Sequence, residues 1–283
     1  MKKVGVFFGT GYEEIEALTV VDLLRRVDVE TVCISIDNQK QVMGAHNILV
    51  EMDAGIDEID FNTLDMIVCP GGMPGTKNLE ACSKLTEQIK RFYENGKLIG
   101  HNTDGIGYMK AVQHAGLDLI GKKMTLLGAG GAATAILVQA ALDGVAEISV
   151  FSRPGKRFDQ TLETIAQLRG MSSCNIHLYD FSDETILRRE IQESALLTNA
   201  TSVGMAPNTE ASLVADLSIF HKDLVVSDII YNPKETTLLK LAKEAGCQTF
   251  NGLYMLLYQG AEAFKLWAGE DMPVDAIKKA YFE

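Results

Sequence analysis

The sequence lacks the patterns that mark several large classes of protein. Its five cysteines include no two in a CxxC spacing, and they stand at Cys33, Cys69, Cys82, Cys174 and Cys247. We therefore predict no zinc site, no redox dithiol and no other metal site. An odd and scattered set of cysteines is typical of a reducing compartment, so we expect a cytoplasmic protein.

Long apolar segments and basic clusters are also missing. The apolar run at residues 4–8 is too short for the core of a signal peptide, and no later run is long enough to span a membrane. The formal net charge is −12, spread along the chain without a basic stripe. Nucleic acids and anionic membranes bind clustered lysine and arginine, so we expect neither as a partner.

The sequence does have the apolar content and the alternation of an α/β protein. Of its 283 residues, 47% are hydrophobic and 23% are charged, as in globular proteins with a buried core. Strand-like and helix-like runs alternate, which predicts parallel sheets. In the first part we predict strands at 4–8, 31–36, 66–69 and 98–99, a strand or hairpin at 41–50, and helices at 15–27 and 79–93.

The alternation starts again after residue 100, where we place a domain boundary. A helix over 103–115 would join the two parts. Beyond it we predict strands at 124–127, 147–151, 175–179, 195–198, 224–226 and 249–250, and helices at 132–142, 158–168, 236–245, 253–267 and 274–281.

Residues 128–133, Gly-Ala-Gly-Gly-Ala-Ala, follow a predicted strand and open a predicted helix. This is the GxGxxA pattern in the context of a dinucleotide-binding fold. Gly128 permits the tight turn, and Gly130 lets the backbone approach a pyrophosphate. The N–H groups at Gly131 and Ala132 and the helix dipole then favour the phosphates. A glycine-rich turn that binds no ligand is the alternative.

The residues after the next strand decide between NAD and NADP. An acid there would bind the ribose 2′-hydroxyl of NAD, but residues 151–157 read Phe-Ser-Arg-Pro-Gly-Lys-Arg. Arg153 and Arg157, beside Ser152, are placed to hold a 2′-phosphate. We therefore predict NADP, with NAD as the second choice. An ordinary solvated basic loop is the alternative.

From residue 100 to residue 283, an ordered series of motifs resembles the shikimate/quinate dehydrogenase family. The motifs are Asn102-Thr103-Asp104-Gly105 with Gly107, the glycine-rich loop, residues 199–205 (Asn-Ala-Thr-Ser-Val-Gly-Met), residues 231–233 (Tyr-Asn-Pro), Gly252, residues 259–261 (Gln-Gly-Ala), and Trp267 with Gly269. The resemblance implies a Rossmann-type NAD(P)-binding domain that carries hydride chemistry at carbon.

The same resemblance implies individual site residues. The family's catalytic aspartate corresponds to Asp104, where a carboxylate beside a lysine would orient a hydroxyl and help move its proton. The alternative for Asp104 is an N-cap of the following helix. Substrate contacts would come from Gln259, Asn102 and Tyr231, and cofactor contacts from Thr201, Ser202, Met205 and Gly252.

Residues 1–99 resemble the N-terminal half of the ThiJ/PfpI family, which has a flavodoxin-like fold. The resemblance is carried by residues 11–17 (Gly-Tyr-Glu-Glu-Ile-Glu-Ala), 22–26, 65–75 and 96–99. It implies that Glu16 is the acid beside a nucleophilic cysteine on a strand-to-helix turn. The position of that cysteine falls on Thr103, and no cysteine lies between Cys82 and Cys174. We therefore expect Glu16 to be a relic and Cys69 to be an inert core residue.

Each resemblance lacks the other half of its family's site. The dehydrogenase family takes a catalytic lysine and substrate serines from its own N-terminal domain, and residues 1–99 offer neither in the expected setting; Lys77 is a remote candidate. We therefore predict an α/β chain: residues 1–100 form a ThiJ/PfpI-like domain in place of a shikimate-binding domain, and residues 101–283 form a Rossmann-type NAD(P)-binding domain with C-terminal helices.

Three functions remain open at this point. The first is an NADP-preferring oxidoreductase of shikimate/quinate 5-dehydrogenase type, acting on a cyclic hydroxy acid. The second is an engineered or recombined chimera that binds dinucleotide without catalysis. The third is a ThiJ/PfpI-like glyoxalase or chaperone module, which the missing cysteine disfavours. An active chain would have a small-molecule substrate, and analogy with ThiJ/PfpI proteins favours a homodimer.

Overall fold

The computed structural model describes residues 2–72, 74–95, 97–100, 103–268 and 270–281. The chain divides into two compact units, Met1–Asn102 and Thr103–Glu283. Each unit is built on a parallel sheet flanked by helices, so the α/β class is confirmed. In the described ranges, no helix combines the length and the apolar character that crossing a membrane requires.

The first unit has a five-stranded parallel sheet and a separate hairpin. The sheet order is β5-β2-β1-β6-β7, which contains the 2-1-3-4 arrangement of flavodoxin-like folds. The elements are β1 (Lys3–Phe8), α1 (Glu14–Arg26), β2 (Glu30–Ser35), β3 (Gln41–Met43), β4 (Leu49–Glu51), β5 (Ala54–Gly55), β6 (Met66–Val68), α2 (Gly75–Ala81), α3 (Ser83–Glu94) and β7 (Leu98–Gly100).

Two predictions for this unit needed refinement. The single helix predicted over 79–93 is instead two helices, because Cys82 between α2 and α3 has extended backbone angles (φ −79°, ψ 94°). The segment predicted as a strand or hairpin at 41–50 is an antiparallel hairpin, in which β3 pairs with β4. In β3, Val42 is buried, while its neighbours Gln41 and Met43 are exposed.

The second unit has a six-stranded parallel sheet of order β10-β9-β8-β11-β12-β13. This is the 3-2-1-4-5-6 order of a dinucleotide-binding Rossmann fold. The elements are α4 (Asp104–His114), β8 (Lys123–Leu127), α5 (Gly131–Leu142), β9 (Glu147–Ser152), α6 (Lys156–Leu168), β10 (Asn175–Asp180), α7 (Glu184–Gln192), β11 (Leu196–Asn199), β12 (Val225–Asp228), α8 (Thr237–Glu244), β13 (Gln248–Phe250), α9 (Leu253–Ala268) and α10 (Val274–Tyr281).

Helix α7 is absent from the sequence prediction. Its nine residues, Glu-Thr-Ile-Leu-Arg-Arg-Glu-Ile-Gln, are mostly charged or polar, and the buried ones are Leu187, Glu190 and Ile191. Ile186, Leu187 and Ile191 recur at helical spacing, so the signal was present in a short, charged segment and the prediction overlooked it. Only packing against the sheet reveals that Glu190 belongs to the core side.

The parallel register brings the carboxyl ends of four strands to one edge of the second sheet. Leu127 of β8 lies opposite Phe151 of β9 on one side and Asn199 of β11 on the other, and Asn199 lies opposite Asp228 of β12. Loops that leave this edge at the point where strand order reverses are where ligands bind in such folds. These loops carry most of the residues that the sequence singles out.

A partly buried ion cluster joins the amino-terminal ends of β8 and β9 to α7. Lys123 lies 2.8 Å from Glu147 and 2.7 Å from Glu190, and the Ser149 hydroxyl donates to Glu190 over 2.6 Å. Burial acts to raise the pKa of Glu190, but hydrogen bonds from Lys123, Ser149 and Arg189 outweigh it and lower that pKa to about 2. The cluster therefore stabilises the end of the sheet that faces away from the ligand-binding edge.

Candidate active site

The glycine-rich loop joins β8 to α5 in the way its sequence predicts. Gly128 has a φ of 120°, and a Cβ there would lie 2.8 Å from the carbonyl oxygen of Ala200, so a larger residue would be strained. Gly130 precedes α5, and a Cβ at the exposed Gly131 would meet nothing within 4 Å. The first-turn N–H groups of α5 have no intrahelical partners, so this open end can receive an anion.

The predicted phosphate-binding arginines lie beside this loop. Gly155, with a φ of 137°, turns the chain from β9 into α6. Arg153 and Arg157 are exposed, and within the described ranges neither is paired with a carboxylate. A Cβ at Gly130 would lie 3.8 Å from Nη1 of Arg157. The guanidinium of Arg157 is thus close to the same helix terminus that can receive a pyrophosphate.

Ser152 is the last residue of β9 and is half-buried. Its hydroxyl donates to the backbone oxygen of Arg153 over 3.3 Å. The hydroxyl therefore lies at the start of the basic turn, where the sequence places it.

Asp104 is the first residue of α4, and two glycines hold that helix close to its neighbours. A Cβ at Gly105 would lie 2.4 Å from the carbonyl oxygen of Ala135 in α5. A Cβ at Gly107 would lie 2.6 Å from the backbone nitrogen of Gln259 in α9. Because both helices approach α4 at backbone distance, its first turn is confined between the dinucleotide-binding helix and the helix that carries Gln259.

Thr103, at the predicted position of the missing cysteine, has a structural role. It is the N-cap residue of α4, so Asp104 itself is not the cap. Thr103 is buried, and its hydroxyl donates to the backbone oxygen of Gln259 over 3.1 Å. This bond joins the residue before Asp104 to Gln259, which brings two of the predicted substrate residues to the same place.

Residues 199–205 form a loop braced by its own first side chain. Oδ1 of Asn199 accepts from the Thr201 backbone N–H over 3.1 Å and from its hydroxyl over 2.7 Å. The Val203 N–H donates to the Thr201 hydroxyl over 3.1 Å. Ser202 and Met205 are exposed. The predicted nicotinamide-side residues thus project from a loop that is held by internal bonds.

The remaining predicted residues lie on neighbouring loops. Tyr231, after β12, is 50% exposed. Gly252 closely approaches the loop after β12, since its backbone N–H donates to the carbonyl of Ile230 over 3.2 Å and a Cβ would overlap the carbonyl oxygen of Ile229. Asn102 lies outside the described residues.

Sequence reasoning missed a buried polar cluster behind these loops. Asp228, at the end of β12, accepts from Asn199, Thr236 and the backbone of Ile230. Burial raises the pKa of Asp228, while these three donors act to lower it. The available signal was an aspartate that ends a buried strand just before the Tyr-Asn-Pro motif.

Glu16 and Cys69 are the two residues of the first unit that the ThiJ/PfpI resemblance singled out. The carboxylate of Glu16 accepts from the Gly71 N–H over 2.7 Å, in the Pro-Gly-Gly loop. Burial raises the pKa of the Cys69 thiol to about 12, so it stays protonated near neutral pH and is a poor nucleophile. All five cysteines are free.

A carboxylate and histidine group in the first unit was also missed. Potential ligand atoms of Glu13, Glu14 and His46 lie within 4.8 Å of one another. Glu14 is buried, and Oε2 lies 2.8 Å from Nδ1 of His46. Burial acts to raise the pKa of Glu14, but hydrogen bonds from His46 lower it to about 2. These bonds attach the hairpin β3–β4 to the first turn of α1.

The ion pair between His46 and Glu14 predicts a pH dependence of stability. The hydrogen bond with Glu14, followed by the charges of Glu13 and Glu14, raises the pKa of His46 above 6.5. The stabilisation is therefore complete below pH 6.5 and is lost as the pH rises through the raised value. The thermal unfolding midpoint of wild type should lie above that of His46→Gln, and the difference between the two midpoints should be larger at pH 5.5 than at pH 8.5. A difference that stays constant with pH would contradict the pair.

Comparisons with known proteins identify relatives for both parts of the chain. Residues 2–112 match the model of the DJ-1/PfpI family, and residues 252–280 match the model of the Shikimate 5′-dehydrogenase C-terminal domain. The resemblance of the N-terminal part to ThiJ/PfpI proteins is thus supported by an independent match. The match extends past residue 100 into α4.

Two curated relatives are dehydrogenases. The chain is 50% identical over 189 residues to a protein of Listeria monocytogenes serotype 4b (strain F2365) named shikimate dehydrogenase (NADP(+)), covering 67% of this chain and 65% of that protein. It thus spans just under two thirds of that relative's length. It is 42% identical over 202 residues to the quinate/shikimate dehydrogenase of Escherichia coli O139:H28 (strain E24377A / ETEC), covering 71% of this chain and 70% of that protein.

A solved structure matches nearly the whole chain. It is the shikimate 5-dehydrogenase of Listeria monocytogenes in complex with shikimate and NAD. It aligns with a TM-score of 0.70 and 33% identity, covering 99% of this chain and 96% of that one. The Rossmann-type prediction for the second unit agrees with this likeness.

Proposed function

This chain belongs to the shikimate/quinate dehydrogenase family, and we propose that it transfers hydride between NADP and a cyclic hydroxy acid. The observation that carries the proposal is the packing of α4 against both α5 and α9. Through Gly105 and Gly107, this packing confines Asp104 between the dinucleotide-binding helix and Gln259. The 50% identity to a shikimate dehydrogenase supports the same activity.

In the proposed reaction, the residues of this chain bind and orient the substrate. The Asp104 carboxylate accepts a hydrogen bond from the substrate hydroxyl and helps to remove its proton as hydride leaves the carbon. The Gln259 amide can both donate to and accept from neighbouring hydroxyls. Asn102 and Tyr231 complete the proposed substrate contacts. Bound NADP supplies the hydride acceptor.

The proposed cofactor site combines the glycine-rich loop with the basic turn after β9. The glycine-rich loop from Gly128 and the open N-terminus of α5, up to Ala132, would receive the pyrophosphate. Arg153 and Arg157, with Ser152, would hold the 2′-phosphate that distinguishes NADP from NAD. Thr201, Ser202, Met205 and Gly252 would surround the nicotinamide.

The arginine pair yields a direct test of cofactor choice. In Arg153→Ala/Arg157→Ala, the dissociation constant of NADPH is expected to rise by at least about a hundredfold, because two charge-assisted bonds of about 1.5–3 kcal/mol each are open to loss. That of NADH should rise much less. Fluorescence titration measures both. The control is Arg169→Ala, which removes a positive charge just after the end of α6. If the double variant bound NADPH and NADH equally less tightly, the phosphate role would be refuted.

The proposed activity is tested by hydride transfer itself. Purified full-length chain is mixed with NADP⁺ and either shikimate or quinate, and NADPH absorbance is followed. Turnover with either acid supports the proposal. Binding of NADPH without turnover of either acid would favour the second candidate, a recombined or engineered chimera that binds dinucleotide without catalysis.

The second candidate has its own observation in its favour. The DJ-1/PfpI match occupies the N-terminal part of the chain, where relatives of the dehydrogenase family would supply a lysine and serines. Under this proposal, residues 1–100 replace a shikimate-binding domain without bringing those groups. A third role, as a ThiJ/PfpI-like glyoxalase or chaperone, lacks the nucleophilic cysteine. Assembly as a homodimer remains a proposal that sedimentation of the full chain would test.

A further inference from the structure

Asp228 is a buried carboxylate with three donors, and none of the proposed chemistry uses it. Its side chain ends β12 and is 1% exposed. Oδ2 accepts from Nδ2 of Asn199 over 3.0 Å and from the Thr236 hydroxyl over 2.8 Å. Oδ1 accepts from the Ile230 N–H over 3.0 Å. A buried charge is costly unless it is fully hydrogen-bonded, so this arrangement has to be specific.

The bond from Asn199 to Asp228 determines which way the Asn199 amide faces. Since Nδ2 donates to Asp228 and to the Val203 carbonyl, Oδ1 is turned toward Thr201. There it accepts from both the backbone N–H and the hydroxyl of Thr201. Because the Asp228 carboxylate accepts from the Asn199 NH₂ group, the Asn199 oxygen is left to accept from Thr201.

The same carboxylate also fixes the following loop. The Ile230 N–H and the Thr236 hydroxyl bracket the segment that carries Tyr231. Thr236 additionally caps α8 through the Leu239 N–H. One side chain thus joins the loop at 199–205 to the loop at 229–236, and both loops carry proposed site residues.

We propose that Asp228 is a positioning residue that orients the Asn199 amide and so sets the geometry of the loop at 200–205 for hydride transfer. The inference rests on the proposed function for its kinetic consequence. Its structural part, the orientation of the loop by a relay from Asp228 through Asn199, stands on the bonds themselves. Asp228 is too buried to touch a substrate and acts only through Asn199.

An amide at residue 228 should disrupt the relay without removing its volume. In Asp228→Asn, the new NH₂ group takes the place of Oδ1, where it faces the Ile230 N–H, or of Oδ2, where it faces the Asn199 NH₂. The first orientation places a donor against a donor in the loop at 229–236. The second makes Asn199 turn over and present its NH₂ to the Thr201 N–H, which releases the loop at 200–205.

The kinetic test compares Asp228→Asn with Glu190→Gln. Glu190 is also a buried, hydrogen-bonded carboxylate of the second unit, but it lies at the amino-terminal ends of the strands. For Asp228→Asn, kcat with NADP⁺ and shikimate or quinate is expected to fall by about tenfold to a hundredfold, because a misplaced reacting group costs that order in rate. The NADPH dissociation constant should change by less than about threefold. Glu190→Gln should leave kcat unchanged even if it lowers the unfolding midpoint.

Two more variants separate the relay from general stability. Asn199→Ala removes the relay and leaves Asp228 in place, so it should show the same loss of kcat at nearly constant cofactor affinity. The exchange Asn199→Asp/Asp228→Asn restores a donor facing an acceptor between the two positions and keeps an acceptor toward Thr201. It places a carboxylate oxygen against the Val203 carbonyl, to which Asn199 donates, so it should regain only part of the kcat that Asp228→Asn loses. Full kcat in Asn199→Ala would overturn the proposal.

Hydrogen exchange tests the structural part without any turnover. The amides of Thr201 and Val203 should exchange faster in Asp228→Asn than in wild type and in Glu190→Gln, with amides of β8 unchanged. Asp228→Ala leaves no acceptor for the Asn199 NH₂, so unaltered protection at Thr201 and Val203 in both Asp228→Asn and Asp228→Ala would refute the relay. If wild type turns over neither acid, the proposed function fails, but the exchange result still decides whether Asp228 orients the loop.

Discussion

Asp104→Asn is expected to lower the turnover of a cyclic hydroxy acid by about 10²- to 10⁴-fold, the range that one general acid–base group contributes. The amide has the size of the carboxylate but cannot take up a proton at neutral pH. Because Asp104 lies on α4 and the proposed phosphate-binding loop lies between β8 and α5, the dissociation constant of NADPH should stay within about threefold of wild type. Steady-state kinetics and fluorescence titration give the two quantities.

A matched control is available on the same unit. Asp118 is an exposed aspartate whose side chain accepts from the Ile120 backbone N–H. Asp118→Asn makes the same chemical change outside the proposed site and should keep full turnover. If Asp104→Asn also kept full turnover, Asp104 would act only as a favourable negative charge at the start of α4.

Gly107→Ala is expected to lower the free energy of unfolding and also to disturb the proposed site. The added carbon would lie 2.6 Å from the backbone nitrogen of Gln259 and 2.8 Å from the carbonyl oxygen of Met255. Neither atom belongs to a flexible side chain, so α4 and α9 must separate. Overpacking of this kind costs about 1–3 kcal/mol or more. The free energy of unfolding from urea titration measures the cost.

The control for this change lies on the partner helix. A Cβ at Gly260 would meet nothing within 4 Å, and Gly260 lies inside α9. Gly260→Ala should therefore raise the free energy of unfolding by about 0.5–1 kcal/mol, the gain of alanine over glycine in a helix. Opposite signs for the two alanines would confirm close packing of α4 on α9. Equal signs would count against it.

The local structure of the proposed site in the second unit could be predicted in part, because each motif depends on neighbouring residues. The glycine-rich loop follows a strand and opens a helix, and each property depends on a few consecutive residues. The basic turn after β9 was predictable for the same reason. Arg157 was assigned to the 2′-phosphate from its spacing, whereas its closeness to Gly130 depends on how α6 leaves its turn at Gly155.

Other features could not be predicted because they depend on contacts between distant segments. In α7 the burial of Glu190 could not be predicted, because its charge is compensated by Lys123 of the distant strand β8. The break at Cys82 divides a segment whose apolar spacing is continuous. Glu14 and His46 are 32 residues apart, and only the folding of the hairpin onto α1 joins them.

By itself, the sequence determined the α/β class, the restart of the pattern near residue 100, the glycine-rich loop between a strand and a helix, and the resemblance of the two parts to different families. Those properties depend on the spacing of nearby apolar residues and on motifs of a few consecutive residues. Only the tertiary structure decided why Gly105 and Gly107 accompany Asp104, since each is required by a different neighbouring helix. It alone revealed the relay from Asp228 through Asn199 to Thr201, because a buried carboxylate is stable only where folding brings three donors to it.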